Sequence, residues 1–291
     1  MPTTTTSEPR TMTAGLLGEH IGYSLSPAIH VAEARHHGIE LTFELLDTEV
    51  LDATPEEVLD RVAACGYAGV NVTQPYKERL IGMVASLEDA AELAGSINGI
   101  VFDPGGWHGF NADAHGFGAE LDYGLGDVDF RDVVQFGSGG AGVSTAIALL
   151  RRGTHRLTLV DLDAARAQAL AERLSTAFPL QDVRACALDR LPRDLRDVTG
   201  IVNASTQGSE SRPGSPLPPD ITAPSNFWVA DVVYAPAETE LLRWGRAHGA
   251  ATVNGERMLV HQAARTFEAL FGVAPDVDRM WRHFQSMRDG A

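Results

Sequence analysis

The thirty residues from Asp132 to Asp161 constrain this chain more than any other stretch. Asp132-Val-Val-Gln-Phe136 has the length and composition of a buried strand, and Gly137-Ser138-Gly139-Gly140-Ala141-Gly142 follows it at once. Val143, Ala146, Ile147 and Leu150 then keep helical spacing, Gly153 suits a helix end, and Arg156-Leu-Thr-Leu-Val160 reads as the next strand, closed by Asp161. The order strand, glycine turn, helix, strand, acid predicts a βαβ unit that binds a dinucleotide. Gly137 permits the tight turn, Gly139 lets backbone approach a pyrophosphate, and Gly142 lets helix and strand pack closely, with the diphosphate on the exposed amides of Ser138, Gly140 and Ala141 and their neighbours.

Glycine-rich turns also occur in α/β folds that bind no dinucleotide, so the surrounding order carries this reading. Asp161 stands about twenty residues past the last glycine, where a carboxylate accepts from the adenosine ribose hydroxyls and repels a 2′-phosphate. NAD is therefore expected ahead of NADP. The plainer reading of Asp161-Leu-Asp163 is a solvated turn in which Asp163 caps the helix beginning near Ala164. Arg166 is open to two readings, as a partner for a 2′-phosphate or as a cover for the adenine.

A chain of 291 residues suffices for about two domains with their own cores. The formal charge of −16 argues against nucleic acid and anionic membrane surfaces, which select basic faces. Cys65 and Cys186 are too few for a disulfide framework and read as buried thiols. Residues 1–12, rich in threonine, read as a disordered tail without the apolar segment of a signal peptide, and no run approaches a membrane span. The cytoplasm is the expected location.

Ahead of the nucleotide unit lies a second α/β set. Strands are expected at Thr13–Gly18, Leu41–Leu46, Tyr67–Thr73 and Gly99–Asp103. Helices are expected from Ser26 to His36, from a capping box at Thr54-Pro-Glu-Glu57, from Gln74-Pro-Tyr-Lys-Glu78 and from Ser86 to about Gly95. Ser26 reads locally as an N-cap. Lys77 lies just past the C-terminal end of a parallel strand, where open α/β sheets place their chemistry and where an amine can exchange a proton with a hydroxyl; an exposed helix lysine is the alternative. His108, Asp113 and His115 follow no metal-ligand motif, so no metal is expected.

Taken together, these motifs resemble the shikimate and quinate dehydrogenase family. Ser24-Leu-Ser-Pro27 is similar to its substrate-binding serine pair, and Asn71-Val-Thr-Gln-Pro-Tyr-Lys77 to its Asn-Val-Thr-x-Pro-x-Lys signature. Asn111-Ala-Asp113, Asp231-Val-Val-Tyr234 and Met258-Leu-Val-His-Gln262 match later blocks. The resemblance implies a two-domain α/β protein: a substrate-binding domain of residues 13–115 and 255–291, a Rossmann-type NAD(P)-binding domain of residues 116–254, and a cleft where they meet. It implies a small cyclic polyol acid as substrate, with Ser24, Ser26, Asn71, Thr73, Asn98 and Gln262 around it and Tyr234 near the nicotinamide. Lys77 paired with Asp113 would move the hydroxyl proton while a hydride passes to or from the nicotinamide. Further cofactor contacts fall on Asn203, Ser205, Val232, Gly255 and Met258. A homodimer is left open.

The chain departs from the family pattern at three places. Asn98-Gly99 and Asn111-Ala-Asp-Ala114 each lack a threonine, and Asn203-Ala-Ser-Thr-Gln-Gly-Ser209 lacks a methionine expected near the nicotinamide. The acidic end of the second strand resembles the NAD-using quinate/shikimate branch, while Ser26 points toward shikimate. The expected activity is NAD-dependent interconversion of shikimate and 3-dehydroshikimate, with quinate as a second substrate. The alternatives are a dehydrogenase of a modified cyclohexane or cyclohexene polyol and a non-catalytic metabolite sensor.

Overall fold

The computed structural model describes residues 10–191 and 195–289, which pack as two compact units. The first takes the chain up to Ala91, Gly95–Ala112 and the residues from Ala263 onward; the second takes Glu92–Ala94 and Asp113–Gln262. The sequence places the crossings after residues 115 and 254, whereas the packing puts them after Ala112 and after Gln262, inside a helix.

In chain order the first stretch contains β1 (Arg10–Gly18), α1 (Ser26–His36), β2 (Ile39–Asp47), α2 (Thr48–Leu51), α3 (Pro55–Ala64), β3 (Gly69–Val72), β4 (Ser86–Leu87), α4 (Asp89–Ala94), β5 (Gly99–Val101) and β6 (His108–Phe110). They build a mixed sheet of order β2-β1-β3-β5-β6-β4, parallel from β2 to β3 and antiparallel at β5. Position in the sheet explains the patterning. Central β1 is buried continuously from Ala14 to Gly18, as a strand covered on both faces must be, while edge strand β2 alternates buried Ile39, Leu41 and Phe43 with exposed Glu40, Thr42 and Glu44.

The chain continues through α5 (Ala112–Gly124), β7 (Asp132–Phe136), α6 (Gly140–Arg151), β8 (Arg156–Asp161), α7 (Ala164–Ala177), β9 (Asp182–Ala187), β10 (Gly200–Asn203), β11 (Trp228–Asp231), α8 (Glu240–Ala247) and β12 (Ala251–Val253), returns to the first unit within α9 (Glu256–Phe271) and ends there with α10 (Val277–Asp289). The second sheet is wholly parallel with order β12-β11-β10-β7-β8-β9. This is the doubly wound order of a Rossmann-type domain, with the winding reversing between β7 and β10. No described helix is long and apolar enough to cross a membrane.

Several local expectations are corrected. Arg10–Met12, assigned to the tail, pair with Ile39–Leu41 as the start of β1; the rest of that tail lies outside the described residues. Gln74–Glu78 is not a helix. The Gln74–Pro75 bond is cis, the Tyr76 hydroxyl is held by Thr48 and Glu19, and the Lys77 carbonyl accepts from Ile97 N at 2.8 Å instead of from its own next turn. Only Arg79–Met83 then forms a 3₁₀ turn. Ser86–Leu87 is a strand, because it pairs with His108–Gly109 of β6, itself unforeseen. Ser26 is not the N-cap of α1: Leu25 holds that position, and the Ser24 hydroxyl accepts from Ser26 N at 3.2 Å. Cys65 is exposed and Cys186 half-buried, so neither is the buried thiol expected.

Glu33 of α1 anchors α10 through Arg279, at 2.8 Å from Nε and 2.5 Å from Nη2. One turn earlier on α1, His30 is wholly buried, stacked on Phe43 at 4.7 Å and parallel to Phe267 at 6.2 Å, with neither ring nitrogen bonded. Burial lowers its pKa to about 4, so it folds neutral. Its contribution is intact above the usual histidine value of about 6.5 and is lost as pH falls toward 4, because the unfolded chain takes the proton first. By pH 5 that loss is about 2 kcal/mol. His30→Leu should therefore flatten the fall in Tm between pH 7 and pH 5 by thermal melts, whatever its Tm at pH 7; an unchanged slope would assign the acid sensitivity to other groups.

Candidate active site

In the second unit the winding reversal brings the C-terminal ends of β7 and β10 side by side, with Ala204 N donating to Phe136 O at 2.7 Å. Gly137 leaves β7 at φ +100°, and a Cβ there would stand 2.7 Å from the Ala204 carbonyl. A Cβ on Gly142 would stand 2.2 Å from the Gly137 carbonyl, so that glycine is required for the turn to close on itself. Gly139 and Gly140 differ: a Cβ on either meets nothing within 4 Å, and the space beside this backbone is open.

Gly139 is the N-cap of α6, and Val143 N makes a bond to Gly139 O at 2.9 Å. The amides of Gly140, Ala141 and Gly142 thus stand at a helix N-terminus, whose dipole favours an anion. Ser138 lies at the same turn with a buried hydroxyl that has no hydrogen-bond partner. Open space beside two glycines, first-turn amides and an orphaned hydroxyl together fit a dinucleotide diphosphate.

Asp161 ends β8 and reaches the turn: its Oδ2 accepts from Ser138 N at 2.7 Å and its Oδ1 from Asp163 N at 2.9 Å. Asp163 caps α7 through Ala165 N and Arg166 N, as the sequence predicts, and its carboxylate lies 3.7 Å from the Arg166 guanidinium. Both acids and Arg166 therefore belong to one exposed corner.

A buried network holds the ends of β10 and β11. Asn203 Nδ2 donates to Asp231 Oδ1 at 2.9 Å and to Gln207 O at 2.8 Å, while its Oδ1 accepts from Ser205 N and Oγ. Val233 N and Thr239 Oγ1 complete the shell of Asp231 at 3.0 and 2.7 Å. Burial pushes the Asp231 carboxyl up to about 6 despite these donors. Tyr234 follows, half exposed. Gly255 allows the start of α9 to meet this edge, since a Cβ there would stand 2.1 Å from Val232 O. Asp113 is buried at the start of α5, and one turn on, Gly116 lies against Met258 and Gln262 of α9, where a Cβ would come within 2.6 Å of Gln262 Cγ. The structure thus places Asp113 and Gln262 on helices in close contact.

In the first unit five of the six expected substrate residues lie around one end of the central strands, while Gln262 belongs to the second unit. Leu17, at the end of β1, is in register with Val72 of β3, and Thr73 N donates to Leu17 O at 2.9 Å. Ser24 occupies the loop after β1 and Ser26 the first position of α1, Asn71 and Thr73 lie at the end of β3, and Asn98 is the residue before β5; all five are half-buried. Asn71 Oδ1 is buried without a partner. Half-buried Lys77 follows on the same loop, and Asn98 Oδ1 accepts from Ala112 N at 2.7 Å, one peptide bond before Asp113. The threonine missing after Asn98 has a steric cause: a Cβ on Gly99 would stand 2.0 Å from the Phe110 ring, which fills that space.

Sequence reasoning passed over Glu19, Thr48 and Tyr76, which tie the Lys77 loop to β1 and α2, and Thr239, which completes the Asp231 shell. The contact partners are far apart in sequence, so no local pattern announces them; the proline and tyrosine flanking Lys77 were the available signal.

Comparison with known proteins agrees with this geometry. Residues 16–100 match the family model described as shikimate dehydrogenase substrate binding domain, and residues 255–283 the shikimate 5′-dehydrogenase C-terminal domain. A shikimate dehydrogenase (NADP(+)) of Streptomyces avermitilis is 43% identical over 91% of this chain and 92% of the relative. A quinate/shikimate dehydrogenase (NAD(+)) of Corynebacterium efficiens is 36% identical over 94% and 97%. Among solved structures, quinate dehydrogenase from Corynebacterium glutamicum in complex with NAD superposes with a TM-score of 0.88 at 34% identity, over 95% of this chain and 99% of that one. With a glycine turn built for a dinucleotide in one unit and the serine, threonine and lysine edge in the other, the chain belongs to the shikimate and quinate dehydrogenase family of oxidoreductases.

Proposed function

We propose that this chain is an NAD-preferring dehydrogenase that interconverts shikimate and 3-dehydroshikimate and takes quinate as a second substrate. Among relatives of comparable similarity some are named for NADP and others for NAD, so cofactor preference must come from this chain's own residues. The observation that carries the reading is the corner at the end of β8. Asp161 is tethered to the glycine turn through Ser138 N, Asp163 stands beside it, and Arg166 is 3.7 Å from the Asp163 carboxylate. Two carboxylates repel a 2′-phosphate dianion, and a guanidinium already paired with one of them is a poor counterweight.

The bound nicotinamide supplies the hydride acceptor or donor. The residues that hold the cofactor are those of the turn, Gly137 to Gly142, with Asp161, Arg166, Asn203, Ser205, Val232, Gly255 and Met258. Ser24, Ser26, Asn71, Thr73, Asn98 and Gln262 hold the ring acid by its carboxylate and hydroxyls, and Tyr234 lines the nicotinamide side. Lys77 takes the proton of the hydroxyl being oxidised and returns it in the reverse direction, with Asp113 setting its orientation; positioning and acid–base chemistry are what the chain contributes.

Two measurements test this. Lys77→Ala should lower turnover of shikimate by about 100- to 10,000-fold, the usual span for a general acid–base, while calorimetry finds the dinucleotide Kd unchanged; an active alanine variant would remove Lys77 from the mechanism. Asp161→Ser, by removing the ribose acceptor and the repulsion, should raise the Kd for NAD and lower that for NADP. If the ratio of the two constants stays where it is in the wild type, cofactor preference resides elsewhere.

A further inference from the structure

Gln135 is a wholly buried amide inside the hydrophobic strand β7. A polar side chain there is costly unless every polar atom is satisfied. It is satisfied by the glycine turn itself. Nε2 donates to Gly137 O at 3.0 Å and to Gly142 O at 2.8 Å, so the two hydrogens of one amide reach the first and last glycine of the turn. Oε1 accepts from the Thr145 hydroxyl of α6 at 2.8 Å. One side chain therefore ties together the strand, both ends of the turn and the first coil of the helix.

The bonds also dictate where the amides point. In a planar trans peptide the carbonyl of one residue and the N–H of the next face opposite ways. With the Gly137 carbonyl drawn onto Gln135, the Ser138 N–H is turned the other way, where it meets Asp161 Oδ2 at 2.7 Å. With the Gly142 carbonyl held inward, the Val143 N–H is directed to its Gly139 acceptor, which sets where α6 begins. The amides of Gly140, Ala141 and Gly142 precede that bond and stay at the helix N-terminus.

We propose that Gln135, braced by Thr145, is a positioning residue for the dinucleotide: it holds the glycine turn and, through Ser138, the Asp161 carboxylate in the arrangement the cofactor meets. This rests on the reading of the turn as a dinucleotide site. Pre-organised donors spare the ligand the cost of ordering them, so loss of the clamp is felt as affinity. Gln135→Met removes the amide at nearly constant volume. Gln135→Glu keeps the acceptor for Thr145 and sets a carboxyl against two carbonyls. Thr145→Val leaves the Gln135 amide in place and removes the hydroxyl that braces its Oε1 at 2.8 Å and also lies 3.1 Å from the Gly142 carbonyl.

The test is calorimetric titration of each full-length variant with NAD and with ADP, which carries the diphosphate without the nicotinamide. Gln135→Met and Gln135→Glu should raise both Kd values at least tenfold with stoichiometry still near one site per chain, and Thr145→Val should raise them less. A purely structural role would reduce the stoichiometry or the Tm and leave Kd within twofold, which would overturn the proposal. If Gln135→Met and Gln135→Glu fail to fold, Thr145→Val decides: a raised Kd at full stoichiometry supports the clamp, an unchanged one removes it. A wild-type chain that binds neither NAD, NADP nor ADP would instead refute the dinucleotide reading beneath it.

Discussion

The close approach of Gly142 to the Gly137 carbonyl is the constraint on which the dinucleotide side depends. Any side chain at 142 would stand inside that carbonyl's van der Waals surface, and opening the turn to admit one would move the start of α6. Because the turn is closed, Ser138 N–H reaches Asp161 across the β7–β8 step, and α6 begins at Gly140 beside two glycines whose Cβ positions are open. A flexible glycine loop would have to be ordered by its ligand; here hydrogen bonds already made within the protein do the ordering.

The face proposed for the substrate rests on a different device. Its residues come from the ends of β1 and β3 and the beginning of β5, so their spacing is fixed by ladder pairing, Leu17 against Val72 and Asn71 against Gly99. The loop carrying Lys77 is pinned at two adjacent residues, by the Tyr76 hydroxyl between Thr48 and Glu19 and by Ile97 N on the Lys77 carbonyl. The residue after Asn98 is glycine because Phe110, directly opposite on β6, occupies the volume a side chain would need. The glycine leaves the bond from Ala112 N to Asn98 Oδ1 in place.

What the sequence made legible follows from the range of the interactions involved. The βαβ unit from Asp132 to Asp161 was readable because strand, turn, helix and strand are each local, and the caps at Thr54 and Asp163 because a cap bonds within three residues. The short strands β4 and β6 were not, since two or three residues have no periodicity and exist only by pairing with each other and with β5. Gln74–Glu78 has helical composition after its proline, yet contacts with Glu19, Thr48 and Ile97 claim its polar groups first. Gln135 was visible as one polar letter in an apolar strand, but its partners are backbone carbonyls that no sequence pattern displays.

If a turn held beside Asp161 and a loop carrying Lys77 together make an NAD-preferring dehydrogenase of a cyclic polyol acid, turnover must discriminate both cofactor and acid. Initial rates at alkaline pH, with shikimate and quinate each against NAD and NADP, followed by absorbance of the reduced cofactor, test it most directly. Turnover of shikimate with NAD, slower turnover with NADP and measurable oxidation of quinate are the expected result. A chain that binds NAD yet turns over neither acid, or that oxidises shikimate only with NADP, would contradict it.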